Sequence, residues 1–216
     1  MKKSMFLALL CFFGVSQIKA QQIFFEAGPV ISSFHYTDSQ GTALKDLQSK
    51  TKGFLTVGYR QILNDKRNLF LLGSLSYMGY ASEGSSAALD VHYSWDVRYI
   101  GISPGIEYTF LQHRDFKFFL RAIPSIEFLV HGSQTINNDV YDLKGEDEFD
   151  SHIVYARAGP GIQFPIAKNA MAQLAYSYGY SFQIAATGAS QENLNISTHQ
   201  VSVGLVINLP GCNCAF

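Results

Sequence analysis

Beyond the first twenty residues, apolar and polar side chains alternate with a period of two, and no stretch keeps the three-and-four spacing of a helix face. β-Branched and aromatic residues dominate the alternating stretches, as strands prefer. The pattern predicts eight strands, at residues 23–36, 52–63, 69–81, 93–110, 116–130, 153–166, 170–185 and 198–209. Their connections alternate in length. Those at 64–68, 111–115 and 167–169 are tight, whereas those at 37–51, 82–92, 131–152 and 186–197 are long and polar. Short turns at one end and long loops at the other are the arrangement of an outer-membrane barrel, with its turns in the periplasm.

One phase of each strand is free of charge. It reads Leu69, Leu71, Gly73, Leu75 and Tyr77 in the third strand, Ile100, Ile102, Pro104, Ile106 and Tyr108 in the fourth, and Val201, Val203, Leu205, Ile207 and Leu209 in the last. The opposite phase holds Gly, Ser, Gln, Glu and Arg. An eight-stranded barrel has an interior only just wide enough for side chains, so eight columns of Leu, Ile, Phe and Tyr would overfill it. The large apolar face is therefore expected to point outward, which only lipid tolerates. Together these expectations describe an all-β, eight-stranded, antiparallel, up-and-down transmembrane β-barrel. Tyr59, Tyr108 and Phe164 near one rim, and Tyr77, Phe128 and Tyr180 nearer the other, are expected to form interfacial aromatic belts. Trp95, beside Tyr93 and Tyr99, is expected where the fourth strand leaves the membrane.

A short internal repeat supports the register. Pro104–Tyr108 (PGIEY), Pro124–Phe128 (PSIEF) and Pro160–Phe164 (PGIQF) share one pattern, with a partial copy at Pro29-Val30-Ile31. A proline inside a strand drops a ladder bond, and a closed barrel has no edge to hide it. Bulges are accordingly expected at some of these prolines.

The segment before the strands reads as an export signal. A basic Met1-Lys2-Lys3 precedes an apolar run at 5–15, and Ala20 offers a cleavage site that leaves Gln21 first. The run is too short to cross a bilayer as a helix, which takes about 20 apolar residues. The domains expected are thus a signal peptide at 1–20 and one barrel at 21–216. Removing Lys2, Lys3 and Lys19 lowers Lys+Arg from 16 to 13 against 17 acids, a net charge of −4 that argues against nucleic acid as a partner. Cys212 and Cys214, near the end, suggest neither a disulfide framework nor a metal site, and no cofactor is implied.

Candidate chemistry lies on the charged phase, which carries Glu26, Lys52, Arg60, Glu107, Arg121, Glu127 and Arg157. Counting along antiparallel neighbours sets Glu26 beside Arg60, Glu107 near Arg121, and Glu127 near Arg157. Such pairs would interlock and close the bore as structural ion pairs; the alternative is a conducting polar track. Glu127, His131 and Ser133 fall on one face at the end of the fifth strand and invite a hydrolase reading. That spacing is common by chance, and a triad must be oriented by neighbouring strands, so a non-enzymatic barrel is the main expectation. Asp139, Asp142, Glu146, Asp147, Glu148 and Asp150 face one Lys144 in the longest loop, without the order of a calcium loop, and read as a solvated acidic loop.

Leu69–Tyr77 (LFLLGSLSY), Tyr99–Tyr108 (YIGISPGIEY), Arg121–Phe128 (RAIPSIEF), Ala158–Gln163 (AGPGIQ) and Ala175–Gly179 (AYSYG) carry a family resemblance. On these segments the chain resembles the small outer-membrane β-barrel (porin-like) family of Bacteroidetes, itself similar to OmpX/OmpA-type barrels. The resemblance spans essentially the whole chain and implies a location in the cell outer membrane. It also implies outer-membrane lipid and the outer-membrane assembly machinery as partners, and a monomer. It implies no activity. Two features depart from the family: Ala175 stands where related barrels carry Arg, and Pro210–Cys214 separates the last strand from a terminal aromatic, Phe216. The role expected is envelope structure, surface interaction or limited small-solute passage. Its rivals are a barrel-borne lipid A-modifying hydrolase and a soluble lipocalin-like binder.

Overall fold

A computed structural model describes residues 21–37, 47–86, 91–144, 152–182 and 193–209; the expected signal peptide, residues 145–151 of the acidic loop and the cysteine tail lie outside them. The strands are β1 (Gln21–Thr37), β2 (Leu47–Ile62), β3 (Leu69–Ser86), β4 (Val91–His113), β5 (Phe116–Ile136), β6 (Asp139–Asp142), β7 (Ile153–Ala167), β8 (Ala170–Phe182) and β9 (Asn193–Asn208). Eight of them form a closed antiparallel up-and-down barrel, with β5 pairing β4 and β7 and β9 returning to β1. All eight expected strands are present. The ninth was not expected: β6 folds back on the outer end of β5 inside what read as a loop. Asn137 and Asn138, at φ 47° and 78°, supply the two left-handed residues of this tight hairpin. The last residues expected in the seventh strand, 183–185, lie outside the described residues.

Strand register fixes the size of the barrel. Stepping sideways from Gln21 leads to Gln61, Leu71, Ile106, Ala122, Ala158, Tyr178, His199 and back to β1 at Ile31, ten residues from the start. Eight strands with a stagger of ten tilt by about 40° and enclose a backbone cylinder of roughly 8 Å radius.

The phases sort as the alternation predicts. Leu55, Leu75, Ile102, Ile106, Leu120 and Val203 are each more than half exposed on the outside, while Arg60, Glu107 and Glu127 are at most 1% exposed within. The interior differs from the expected mixture of small and charged residues. Phe24, Leu72, Met171 and Val206 pack toward the turn end, and Phe34, Met78, Tyr80, Tyr99 and Tyr155 toward the loop end. Rings fit in so narrow a bore because glycines make room for them. A Cβ on Gly58 would sit 2.3 Å from the Phe24 ring, and one on Gly161 would sit 2.1 Å from that of Phe119.

The prolines behave differently from expectation. Register shifts occur between Arg98 and Tyr99 and between Thr109 and Leu111 along β4–β5, between Ser49 and Phe54 on β2, and next to Pro165 on β7. None falls at Pro29, Pro104, Pro124 or Pro160. Pairing lapses on one side of each of these four and resumes in the same register, as between Ala158↔Tyr178 and Gly161↔Ala175. A missing N–H removes a ladder bond from one seam only, so no extra residue is needed. At Pro29 and Pro160 the preceding glycine lets the opposite strand close in. A Cβ on Gly159 would lie 2.0 Å from the Tyr176 carbonyl oxygen, and one on Gly28 would lie 1.9 Å from that of Val201.

Gly159→Ala should therefore lower barrel stability by about 1–3 kcal/mol or more, as overpacking does, in urea unfolding followed in detergent micelles. Gly73→Ala, whose Cβ would meet nothing within 4 Å, should leave the midpoint unchanged or raise it. Equal midpoints for the two variants would refute the close-approach account.

Candidate functional site

Two polar layers cross the barrel interior. The layer nearer the short turns is a closed ring of side chains. Arg60 on β2 donates to Glu107 on β4, and Arg121 on β5 donates to the same carboxylate from Nε and Nη2, at 3.0 and 2.7 Å. Arg121 also donates to Glu26 on β1, which accepts from Gln173 on β8. Gln163 on β7 then donates to Gln173 at 3.2 Å and accepts from Arg60 at 3.4 Å, closing the circuit. Six of the eight barrel strands contribute one residue each. Gln22 accepts from Arg60 at 2.9 Å and donates to Asn208 on β9 at 2.7 Å, adding a seventh strand. The Arg60 guanidinium lies 3.6 Å over the Phe70 ring, so its flat face is covered as well.

The second layer lies nearer the loops. Glu127 pairs with Arg157 at 2.6 Å, accepts from Tyr80 Oη at 2.7 Å, and accepts from Ser125 at 3.0 Å. Arg157 donates to Ser125 and Tyr80, and its guanidinium lies 4.1 Å from the centroid of the Tyr155 ring, which stacks on Tyr80. Above this layer the apolar cluster of Phe34, Val97, Tyr99 and Ile196 packs inside the bore. It is completed by Leu143, which follows β6 and is held by its N–H on the Gly132 carbonyl. Between the two layers lies a cavity of about 60 Å³, lined by Ser74, Ser76, Ser103, Gln200 and Ser202 among others. Ser76 Oγ, Gln200 Nε2 and Arg157 Nε find no partner among the described residues. The cavity has room for a few waters at these polar groups, and Phe24, Phe54, Met78 and Phe119 line the rest of it.

Of the seven charges expected in the lumen, the six assigned to ion pairs are all inside, with one pairing different. Glu107 and Arg121 are direct cross-strand partners, and Glu127 meets Arg157 diagonally. Glu26, expected beside Arg60, instead faces Thr56, while Arg60 faces Gln22. That offset of four residues is about 13 Å along a strand, and the two side chains turn to different partners. Each finds its charged partner across the bore, and the two are linked through Glu107 and Arg121 on one side of the ring and through Gln163 and Gln173 on the other. Lys52, also expected in the lumen, pairs with Asp96 near the loop end and is partly exposed. Gln163, Gln173 and Tyr80 were missed. Their phase marks them as inward, but only the stagger of the closed barrel tells which charge each one meets.

The hydrolase arrangement is not assembled. Register changes between Arg98↔His131 and Tyr99↔Leu129, so Val130 is an extra residue that turns the following side chains over. His131 is exposed and Ser133 half-buried, whereas Glu127 is fully buried and committed to Arg157, Tyr80 and Ser125. The six aromatics expected at the rims all occupy the outward phase. Tyr59, Tyr108 and Phe164 lie toward the turn end, and Tyr77, Phe128 and Tyr180 toward the loops. None of them is buried.

No family model and no curated protein matches the sequence. Solved structures are similar in fold. Neisserial surface protein A is 13% identical with a TM-score of 0.51, covering 88% of this chain and 97% of that one. The outer membrane protein OprG from Pseudomonas aeruginosa is 11% identical with a TM-score of 0.50, over 88% and 97%. A major outer membrane protein from Thermus thermophilus is 10% identical with a TM-score of 0.52, over 88% and 100%. At such identities the likeness is one of fold: a closed, eight-stranded antiparallel barrel.

Glu107→Gln should destabilise the barrel by about 3–5 kcal/mol, since it leaves Arg60 and Arg121 buried with less than their full countercharge. Glu83→Gln, which removes the partly exposed partner of the exposed Lys50, should cost less than about 1 kcal/mol. Chemical unfolding in micelles compares them, and a small effect at Glu107 would deny the ring its structural weight.

Proposed function

We propose that the chain is an integral outer-membrane protein, non-enzymatic and monomeric. In this reading its lumen is closed, its long loops face the cell exterior, and its role is envelope structure and surface interaction. The observation that carries the reading is the band of exposed Leu, Ile, Val and Phe around a barrel whose ionic groups at that depth are directed inward. A protein in water would reverse that distribution, and lipid is the solvent that rewards it. The solved structures of similar fold are described as surface or outer membrane proteins, which supports the same compartment. Outer-membrane lipid is then the direct partner. The assembly machinery inserts the chain after export and cleavage behind Ala20, and a closed ladder leaves no edge that a second copy must cover. The ring and the aromatic roof close the lumen, and the described residues contain no assembled acid–base–nucleophile set at Glu127, His131 and Ser133.

Fractionation followed by gel migration with and without boiling should find the protein in the outer membrane with a mobility that shifts on heating. Recovery as a soluble species without detergent would sink the proposal. Val203→Arg, in the middle of the apolar band, should lower stability by about 2–4 kcal/mol. In planar bilayers the folded protein should give no large steady conductance; a persistent open channel would refute the closed lumen.

A further inference from the structure

The outward face is not uniform at its loop-end rim. On β9 the apolar column Ile207, Leu205, Val203, Val201 ends at His199, which is followed by Ser197. Tyr176, whose Cα lies opposite Val201 within the apolar band, sends its hydroxyl up to His199 Nδ1 at 2.7 Å. The Tyr178 ring stands beside the imidazole, with centroids 5.2 Å apart. The next outward position on β9, Ser197, meets His35 Nε2 at 3.2 Å, and Ser33, directly opposite Ser197, meets Ser49 at 2.6 Å. Hydroxyls and imidazoles thus run continuously across β8, β9, β1 and β2 where the greasy band stops.

The charge of this sector is equally distinctive. β2, β8 and β9 contain no acidic residue, and the single acid of β1, Glu26, is in the lumen. The neighbouring sector of β3 and β4 carries Glu83 and Asp96, each already paired with Lys or Arg. A phenol is a better donor than imidazole, so Tyr176 Oη–H donates to Nδ1 and fixes the tautomer with its proton on Nε2. That N–H has no partner among the described residues. It is a donor at the edge of an apolar surface, in a patch where the described residues place further donors and no carboxylate, and such a group calls for an acceptor from outside the protein.

We infer that this patch binds the anionic phosphate headgroup of a membrane lipid, with the phosphate against His199, Ser197 and His35 and the acyl chains against Val201 and Ile31. The inference rests on the membrane reading above and adds to it a site with a defined ligand chemistry. The apolar column below and the donor patch above match the two halves of such an amphiphile.

The test uses the full barrel in neutral maltoside micelles with its histidines labelled at Cε1. Dihexanoyl phosphatidic acid, dihexanoyl phosphatidylcholine and inorganic phosphate are each titrated. Phosphatidic acid should move the His199 and His35 resonances saturably, at a concentration at least tenfold below that needed with either other probe. The resonances of His92, His113 and His152 should stay still. Tyr176→Phe, which keeps the ring and removes the hydroxyl, should weaken the response at His35 at least threefold, and His199→Ala should abolish it. Equal potency of phosphatidylcholine would mean that no anionic site exists, and equal potency of inorganic phosphate would mean that the membrane lipid is not the source. Uniform movement of all histidines would also overturn the site. The two readings fail separately: a barrel soluble without detergent overturns the membrane proposal, whereas a detergent-requiring barrel without headgroup preference overturns only this inference.

Discussion

The closed ring of Arg60, Glu107, Arg121, Glu26, Gln173 and Gln163 is the constraint on which the rest of the barrel depends. Four formal charges in a bore of about 8 Å radius are tolerable only if every one is compensated, because an unpaired buried charge costs several kcal/mol. Compensation here is not local. Each member comes from a different strand, so a one-residue slip of any of the six would break the circuit. The same slip would turn that strand's Leu and Ile columns inward. The ring and the outward apolar phase therefore enforce one register between them, and that register sets the stagger of ten and the tilt.

How much of this could be read from the sequence follows from how far each feature reaches along the chain. Alternation has a period of two and is visible within one strand, so the phase of Leu55 or Val203 and the inward placing of Glu107 were legible. Partners within one hairpin, such as Glu107 and Arg121, needed only a short turn to be counted correctly. Glu26 and Arg60 belong to a hairpin with a long loop, where the count has no anchor. Their true partners sit on strands that only closure of the barrel brings across the bore. Val130 and the β5–β6 hairpin were hidden for another reason. One extra residue in a strand costs little pattern but inverts everything after it, which is why an unbroken count puts His131 and Ser133 on one face with Glu127.

The prolines show how a conflict with the fold is resolved by hydrogen-bond accounting. Every backbone donor and acceptor within a lipid-embedded barrel needs a partner, and four prolines in mid-strand look like four violations. Pro104 and Pro124 occupy the same register position on β4 and β5, midway between Ile102↔Ile126 and Ile106↔Ala122. Their two missing donors thus fall in one gap, while Gly73↔Pro104 and Pro124↔Ala156 keep their pairing on the outer sides. Pro29 and Pro160 each follow a glycine that admits the opposing carbonyl. The repeated Pro-x-Ile-x-aromatic pattern is thus compatible with an unbulged wall.

The two ends of the lumen are filled by different chemistry, and under the closed-lumen proposal the difference bears on how the barrel could open. At the turn end the seal is polar and tied to seven strands, so loosening it means separating several buried hydrogen bonds at once. At the loop end the seal is a stack of rings over a single ion pair, with Leu143 contributed from a hairpin outside the barrel wall. Apolar contacts carry no directional requirement, and Leu143 can leave without stranding a charge. The space between the two layers is lined by serines and by rings alike. Any passage through this barrel would consequently be limited at the turn end, where Arg60 is held by Glu107, Gln22, Gln163 and the face of Phe70.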